Sequence, residues 1–204
     1  MPAKNGEGKL IKKLLSFIRP IHIPESVKNR KREVLLHIGD VSTWGYPYIK
    51  RLIKKIKPDV LVHTGDLADE YKVGRLSEHI PPYKKAVPKL LKIMEKYAIE
   101  VYIVPGNNDL EDFITENITK SKIVQANTVI DIYGIPFLLC HRVMDIDGDA
   151  EFYLYGHGPT GDTHNFYKPE NGKVFSNVFY APAVIFLKDK SYVGLKNYNG
   201  GMHK

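Results

Sequence analysis

Two aspartates, an asparagine and two histidines stand just past five short apolar runs. Asp40 follows VLLHI (34–38), Asp66 follows VLVH (60–63) and Asn107 follows EVYIV (100–104). His141 follows PFLLC (136–140) and His157 follows FYLY (152–155). Carboxylate and amide oxygens together with imidazole nitrogens suit a borderline or hard divalent cation such as Mn, Fe or Zn. A glycine precedes Asp40, Asp66, Asn107 and His157, which permits sharp turns and close backbone approach. Singly, each residue has an ordinary explanation: Asp after Gly caps a turn, Gly-Asn-Asn makes a loop, and a lone His packs. Five run ends that agree point to one shared cation site. A sixth candidate is His164, seven residues beyond His157 in YGHGPTGDTHN (155–165). That stretch tolerates neither helix nor strand. Either both histidines reach the same metal, or one is a ligand and the other is not.

Such a set converges only if the runs are strands that end at one edge. Between them lie segments with helical apolar spacing. Residues 46–57 carry Ile49, Leu52, Ile53 and Ile56, and residues 82–97 carry Val87, Leu90, Leu91, Met94 and Tyr97. The order β-α-β-α-β predicts a parallel sheet with right-handed crossovers, and sites in such sheets lie outside the strands' carboxyl ends. The second half reads as strands at 128–132, 136–140, 152–155, 174–180, 183–187 and 192–195. The expected class is therefore α/β (α+β), with two sheets packed together and helices outside. His37 and His63 lie inside their runs and are expected to be packed. The segment 70–83, with Tyr71, Arg75 and Tyr83, and the loop 142–151 are expected to form the pocket wall. The acidic stretch in that loop lacks a full EF-hand pattern and reads as a solvated turn.

Composition narrows the setting. The 204 residues carry one cysteine, Cys140, so the fold stands without a disulfide and suits a reducing compartment. No run is long enough to span a membrane, and no secretory signal is evident, which predicts a soluble cytoplasmic protein. The net charge is +7, and residues 1–33 hold nine Lys/Arg against three Asp/Glu. The remaining 171 residues carry only +1, so the sequence divides into a basic N-terminal extension (1–32) and a domain (33–204). The tail could dock a partner or an anionic surface; its 9–24 stretch is amphipathic for about three turns, and a short helix packed on its own domain is expected there rather than a membrane-surface or partner-binding helix. Nucleic-acid processing rests on tail charge alone and would show as steep salt dependence.

Gly65-Asp66-Leu67-Ala68-Asp69 fits G-D-x-x-D, and Gly106-Asn107-Asn108-Asp109 fits a G-N-x-D motif. With Asp40 before and His141 and Gly156-His157 after, the order resembles the calcineurin-like metallophosphoesterases, in particular their small phosphodiesterase-like branch. The resemblance covers about residues 33 to 165. It implies a four-layer αββα sandwich of two mixed sheets with flanking helices, and two divalent metal ions (Mn, Fe, Zn or Ni). Asp66 would bridge them. Asn107, His141 and His157 would complete one metal, and Asp40 would hold the other. The second metal's two histidines are absent: Ser42 and Pro159 stand in their places. His164, five residues late, is the candidate replacement. Asn108 takes the position of a catalytic histidine, and Asp69 and Asp109 would steady the loops. The implied activity is phosphodiester hydrolysis by a hydroxide activated between two metals, on a phosphorylated small-molecule or nucleotide-like substrate. The rival is a catalytically weak or inactive member that serves as a protein-binding module.

Overall fold

The computed structural model describes residues 14–18, 20–157, 166–179 and 181–195. Pro159 and His164, and with them the question of the split histidine pair, lie outside the described residues. Eleven strands form two sheets among the described residues. The first has β1 (Val34–Ile38), β2 (Val60–His63), β3 (Glu100–Ile103) and β4 (Lys122–Ile123) in parallel, with β10 (Ala183–Phe186) antiparallel to β1 and β11 (Tyr192–Gly194) antiparallel to β10. The second runs β5 (Thr128–Ile132), β6 (Ile135–Leu139), β7 (Phe152–Tyr155), β9 (Val174–Asn177) and β8 (Phe166–Tyr167). In it β6, β7 and β9 are parallel, while the hairpin β5–β6 and the pair β8–β9 are antiparallel.

The period of two along each strand divides the core. Leu36, Ile38 and Leu61 pack outward, against Ile49, Leu52 and Ile53 of α1 (Tyr46–Ile56) and Leu90 and Leu91 of α2 (Ile80–Tyr97). Leu35, Val60, Val62 and Ile185 pack inward, against Phe137, Leu139, Phe152 and Leu154 of the second sheet. Each such side chain, fully buried, contributes roughly 1.5–3 kcal/mol. The far face of the second sheet is covered by the 142–150 segment, where Ala150 and Ile146 meet Leu138 and Tyr153. His37 points between the sheets, its ring nitrogens at 2.9 Å from Ser176 Oγ and 3.0 Å from Thr64 Oγ1. His37 and His63 are fully buried, as expected, and burial holds His63 down at about 3.

α1 opens on Pro47 in its first turn and ends where Lys57 turns left-handed before Pro58. A third helix, α3 (Glu111–Asn117), and β4 carry the chain from the site to the sheet edge. Glu95 of α2 pins that crossover by accepting from the backbone N–H groups of Thr119, Lys120 and Ser121 at 2.8–3.0 Å. Burial pushes the Glu95 carboxyl up, but these donors and the Thr119 hydroxyl outweigh it and hold it at about 2. A depressed carboxyl stabilises the fold above its unfolded value, and that stability disappears as pH falls from about 4.5 to about 2. Glu95→Ala is expected to cost about 1 kcal/mol at pH 7, the group being partly screened by solvent. The gap between variant and wild type in urea midpoint should close on acidification. A gap independent of pH would exclude the ionised carboxylate as the cause.

The N-terminal stretch is joined to this body despite its charge. Ile21, Ile23 and Val27 enter the core. Arg51 donates to Ser16 O (3.1 Å) and Phe17 O (2.5 Å), and the Arg30 guanidinium caps α1 through the Ile56 and Lys57 carbonyls.

Candidate metal centre

Asp40, Asp66, Asn107, His141 and His157 all follow parallel strands at their carboxyl ends. β1, β2 and β3 of one sheet and β6 and β7 of the other therefore deliver five side chains to one edge of the sandwich. Asp40 and Asp66 sit in left-handed backbone, at φ 49° and 55°. Such a conformation is costly for residues other than glycine, tolerated by Asp, and concentrated at functional sites. Gly65, at φ +93°, has no room for a Cβ, which would lie 2.6 Å from His141 Nδ1. At Gly106 a Cβ would strike the Asp66 carboxylate.

The buried donor set has one ligand atom from each of Asp40, Asp66 and His141, all within 4.8 Å of one another. It is the one such group of His, Cys, Asp and Glu among the described residues, and the acidic 145–149 loop is not part of it. His141 Nδ1 lies 2.8 Å from the Thr64 carbonyl, which only accepts, so Nδ1 carries the proton. The other ring nitrogen, Nε2, faces Asn107 Oδ1 at 3.0 Å and Asp66 Oδ1 at 3.7 Å. A nitrogen and two oxygens brought this close at one buried point form a donor set that a cation can bridge. Asp40 Oδ1 is buried and accepts no hydrogen bond. These residues fit a divalent cation. Burial, Asp109 and Asp40 push the Asp66 carboxyl up to about 7, against the opposing pull of His141 and Asn108.

His157 is half-exposed, and its Nδ1 lies 3.7 Å from Asp40 Oδ2. Its imidazole pKa is raised chiefly by that carboxylate, against partial burial. The contact seen for His157 is thus with Asp40, while Asn107 and Asp66 meet at His141. Asn108 is buried, and both its backbone N–H and its amide donate to Asp66, at 3.0 and 2.7 Å. One amide N–H is left over for a substrate oxygen. Ser42 is buried at the start of a 3-10 turn.

Asp109 is a brace that the sequence hinted at. Its carboxylate accepts from the backbone N–H groups of Asp66 (2.7 Å), Leu67 (3.0 Å) and Gly106 (2.8 Å), tying the loop after β2 to the loop after β3. The Tyr83 hydroxyl donates to it at 2.9 Å. Tyr83 is therefore no pocket wall: it is fully buried beneath the site. Four-residue spacing back from Val87 on α2 would have placed it on the buried stripe. Asp109→Asn keeps the size but turns two donors of its own toward backbone N–H groups. It is expected to lower metal affinity about 10–100-fold, with the fold retained. Calorimetric titration with Mn²⁺ measures this, and unchanged affinity would make Asp109 a mere loop cap. Asp69 pairs instead with Lys72, at 2.5 Å.

Asp66, Asn107, Asn108 and His157 line a cleft of about 600 Å³ together with Lys72, Arg75, Arg142 and Phe179. Arg75 and the start of the 142–151 loop belong to the expected wall. Phe179 was not foreseen, because the apolar run through 174–180 reads as one strand, whereas β9 ends at Asn177.

The chain matches the model of the calcineurin-like phosphoesterase family over residues 34–198, and it belongs to that family. Two solved structures share the fold. One is YfcE, a phosphoesterase from E. coli (TM-score 0.50, 16% identity, 78% of this chain and 96% of that one). The other aligns at TM-score 0.54 and 11% identity, over 80% of this chain and 98% of its own. Among curated proteins, the dilute domain-containing protein YPR089W of Saccharomyces cerevisiae is 27% identical over 113 residues. That match spans 55% of this chain and only 12% of the yeast protein.

Proposed function

We propose that the protein hydrolyses phosphate esters with divalent metal ions, and phosphodiesters in preference to monoesters. The observation that carries this is the convergence of the Asp40, Asp66 and His141 ligand atoms within 4.8 Å, with an unpartnered Asp40 oxygen. Asp66, Asn107 and His141 would hold one cation, and Asp40 with His157 would take part in holding a second, for which manganese is the natural first trial. Divalent cations held there supply charge that draws phosphate oxygens and lowers the pKa of a water. The chain itself supplies the rest. Arg75 brings positive charge to the cleft, beside Lys72 and Arg142, which are paired with Asp69 and Asp145, and would favour an anionic substrate. The spare N–H of Asn108 can hold a phosphoryl oxygen. An amide cannot protonate a leaving group, which favours esters whose leaving group departs unaided. The substrate would be a phosphorylated small molecule or nucleotide-like compound. The buried Cys140 thiol is in keeping with the reducing cytoplasm.

Mn²⁺-loaded protein should cleave bis(4-nitrophenyl) phosphate with kcat/KM about tenfold above that for 4-nitrophenyl phosphate. Cleavage of neither would sink the enzyme reading; a preference for the monoester would sink only its finer half. One observation favours the rival, a weak or inactive member that binds protein: Ser42 is a neutral hydroxyl where the family has a metal-binding histidine. Metal content per chain by elemental mass spectrometry discriminates. Two ions favour the hydrolase, and none after Mn²⁺ is restored favours the binding module.

A further inference from the structure

Summing charge over the body conceals how it is placed. Residues 46–57 and 80–97, which are α1 and α2 with the cap of α1, hold ten Lys/Arg and a single acid, Glu95. The rest of residues 34–204 is then net −8. Lys50, Lys54, Lys55, Lys57, Lys84, Lys85, Lys89, Lys92 and Lys96 are all exposed. Glu95 does not offset them, because it is engaged with the 119–121 backbone. The outer helical layer is thus a cationic face on a domain otherwise anionic.

The same face exposes apolar side chains. Helical residues 14–18 are tied to α1 by Arg51, and they present Leu14, Leu15, Phe17 and Ile18 at 46–72% exposure. Phe17 reaches an open groove of about 600 Å³ between the helices, with Trp44 and Ile93 in its walls and Lys50, Lys85 and Lys89 lining it. Glu70 also lines this groove, but its carboxylate accepts from the Thr43 N–H and hydroxyl.

We propose that this face docks the protein on an anionic lipid bilayer, beyond and independent of the phosphoesterase reading. Two weak signals coincide here, as stable peripheral binding requires. The apolar side chains at 14–18 enter the headgroup boundary, and the lysines lie over anionic headgroups. A nucleic acid would meet the same lysines, but its phosphate backbone offers nothing to four exposed aliphatic and aromatic side chains. The occupant is therefore lipid. Unlike an isolated tail, the site is built largely on the body: deleting the extreme N-terminus leaves its lysines in place. The docking face also abuts the cleft, since Tyr71 lines the groove and Lys72 and Arg75 line the cleft within one segment.

The test uses the full chain and vesicles of phosphatidylcholine with or without 30 mol% phosphatidylserine, by flotation. Trp44, the one tryptophan, reports from the groove. Binding is expected to the anionic vesicles alone and to weaken with salt, and the Trp44 emission should shift to the blue. Each lysine near an anionic surface accounts for about a fivefold change in partitioning. K50E/K85E/K89E should therefore lose at least a hundredfold. F17S/I18S should weaken vesicle binding while leaving salt-sensitive binding to duplex DNA unchanged. All of these substitutions are at exposed side chains, and circular dichroism checks the fold. Equal binding to neutral vesicles, none to anionic vesicles, or DNA binding without vesicle binding would each overturn the proposal.

Discussion

Asp66→Ala is expected to cut kcat/KM for an activated phosphodiester by about a thousandfold or more, to the level of background. Two losses combine. The carboxylate faces His141 Nε2 at 3.7 Å and, under the proposed function, would supply the central negative charge for cation binding. It also accepts both the backbone and side-chain N–H of Asn108, and so fixes the group proposed to hold a phosphoryl oxygen. Asp66→Asn separates the two. It retains the shape and one acceptor while removing the charge, and it should be almost as inactive. Steady-state kinetics with metal content measured on the same samples decides the matter. An Asp66→Asn variant of near wild-type rate would mean that the site does not work through cation charge.

The second large effect is on stability, and its sign differs with metal. Asp40 carries a carboxylate oxygen that is buried without a partner, on a backbone held left-handed. Leaving such a group unmatched costs about 1–3 kcal/mol. In chelator, Asp40→Asn is therefore expected to melt above wild type by a few degrees, since removing the charge removes most of that penalty. In Mn²⁺ at a hundredfold its Kd, wild type gains about 2.7 kcal/mol, or roughly 5–10 °C for a chain of this size. The variant should gain much less, so the order of the two melting curves reverses. Scanning calorimetry with and without EDTA tests this. Curves that shift in parallel would show that Asp40 holds no cation.

Much of this was legible from the chain because strands buried on both faces write themselves as continuous apolar runs. VLLHI, VLVH and FYLY could be placed almost to the residue. The ligand set was legible for the same reason, each member standing just past a run. The short elements were not. EDFITEN in α3 has no apolar stripe, and two-residue strands such as Lys122–Ile123 and Phe166–Tyr167 exist only through their neighbours. Orientation was hidden too. Sequence could nominate Asn107, His141 and His157 for one cation, but it could not show His157 beside Asp40. Charge misled by averaging: a near-neutral body concealed the cationic layer on α1 and α2, and a basic tail concealed Ile21, Ile23 and Val27 in the core.

The left-handed aspartates bear on the history of this chain as well as its chemistry. An unmatched buried carboxylate oxygen on Asp40 is a standing penalty that one nucleotide change, to Asn or to Gly, would relieve. Drift in a lineage freed from the need for a cation would find that change early and keep it, since glycine suits the backbone better. Under the proposed function, an Asp40 kept against that cost is what selection for an ion at this point would leave.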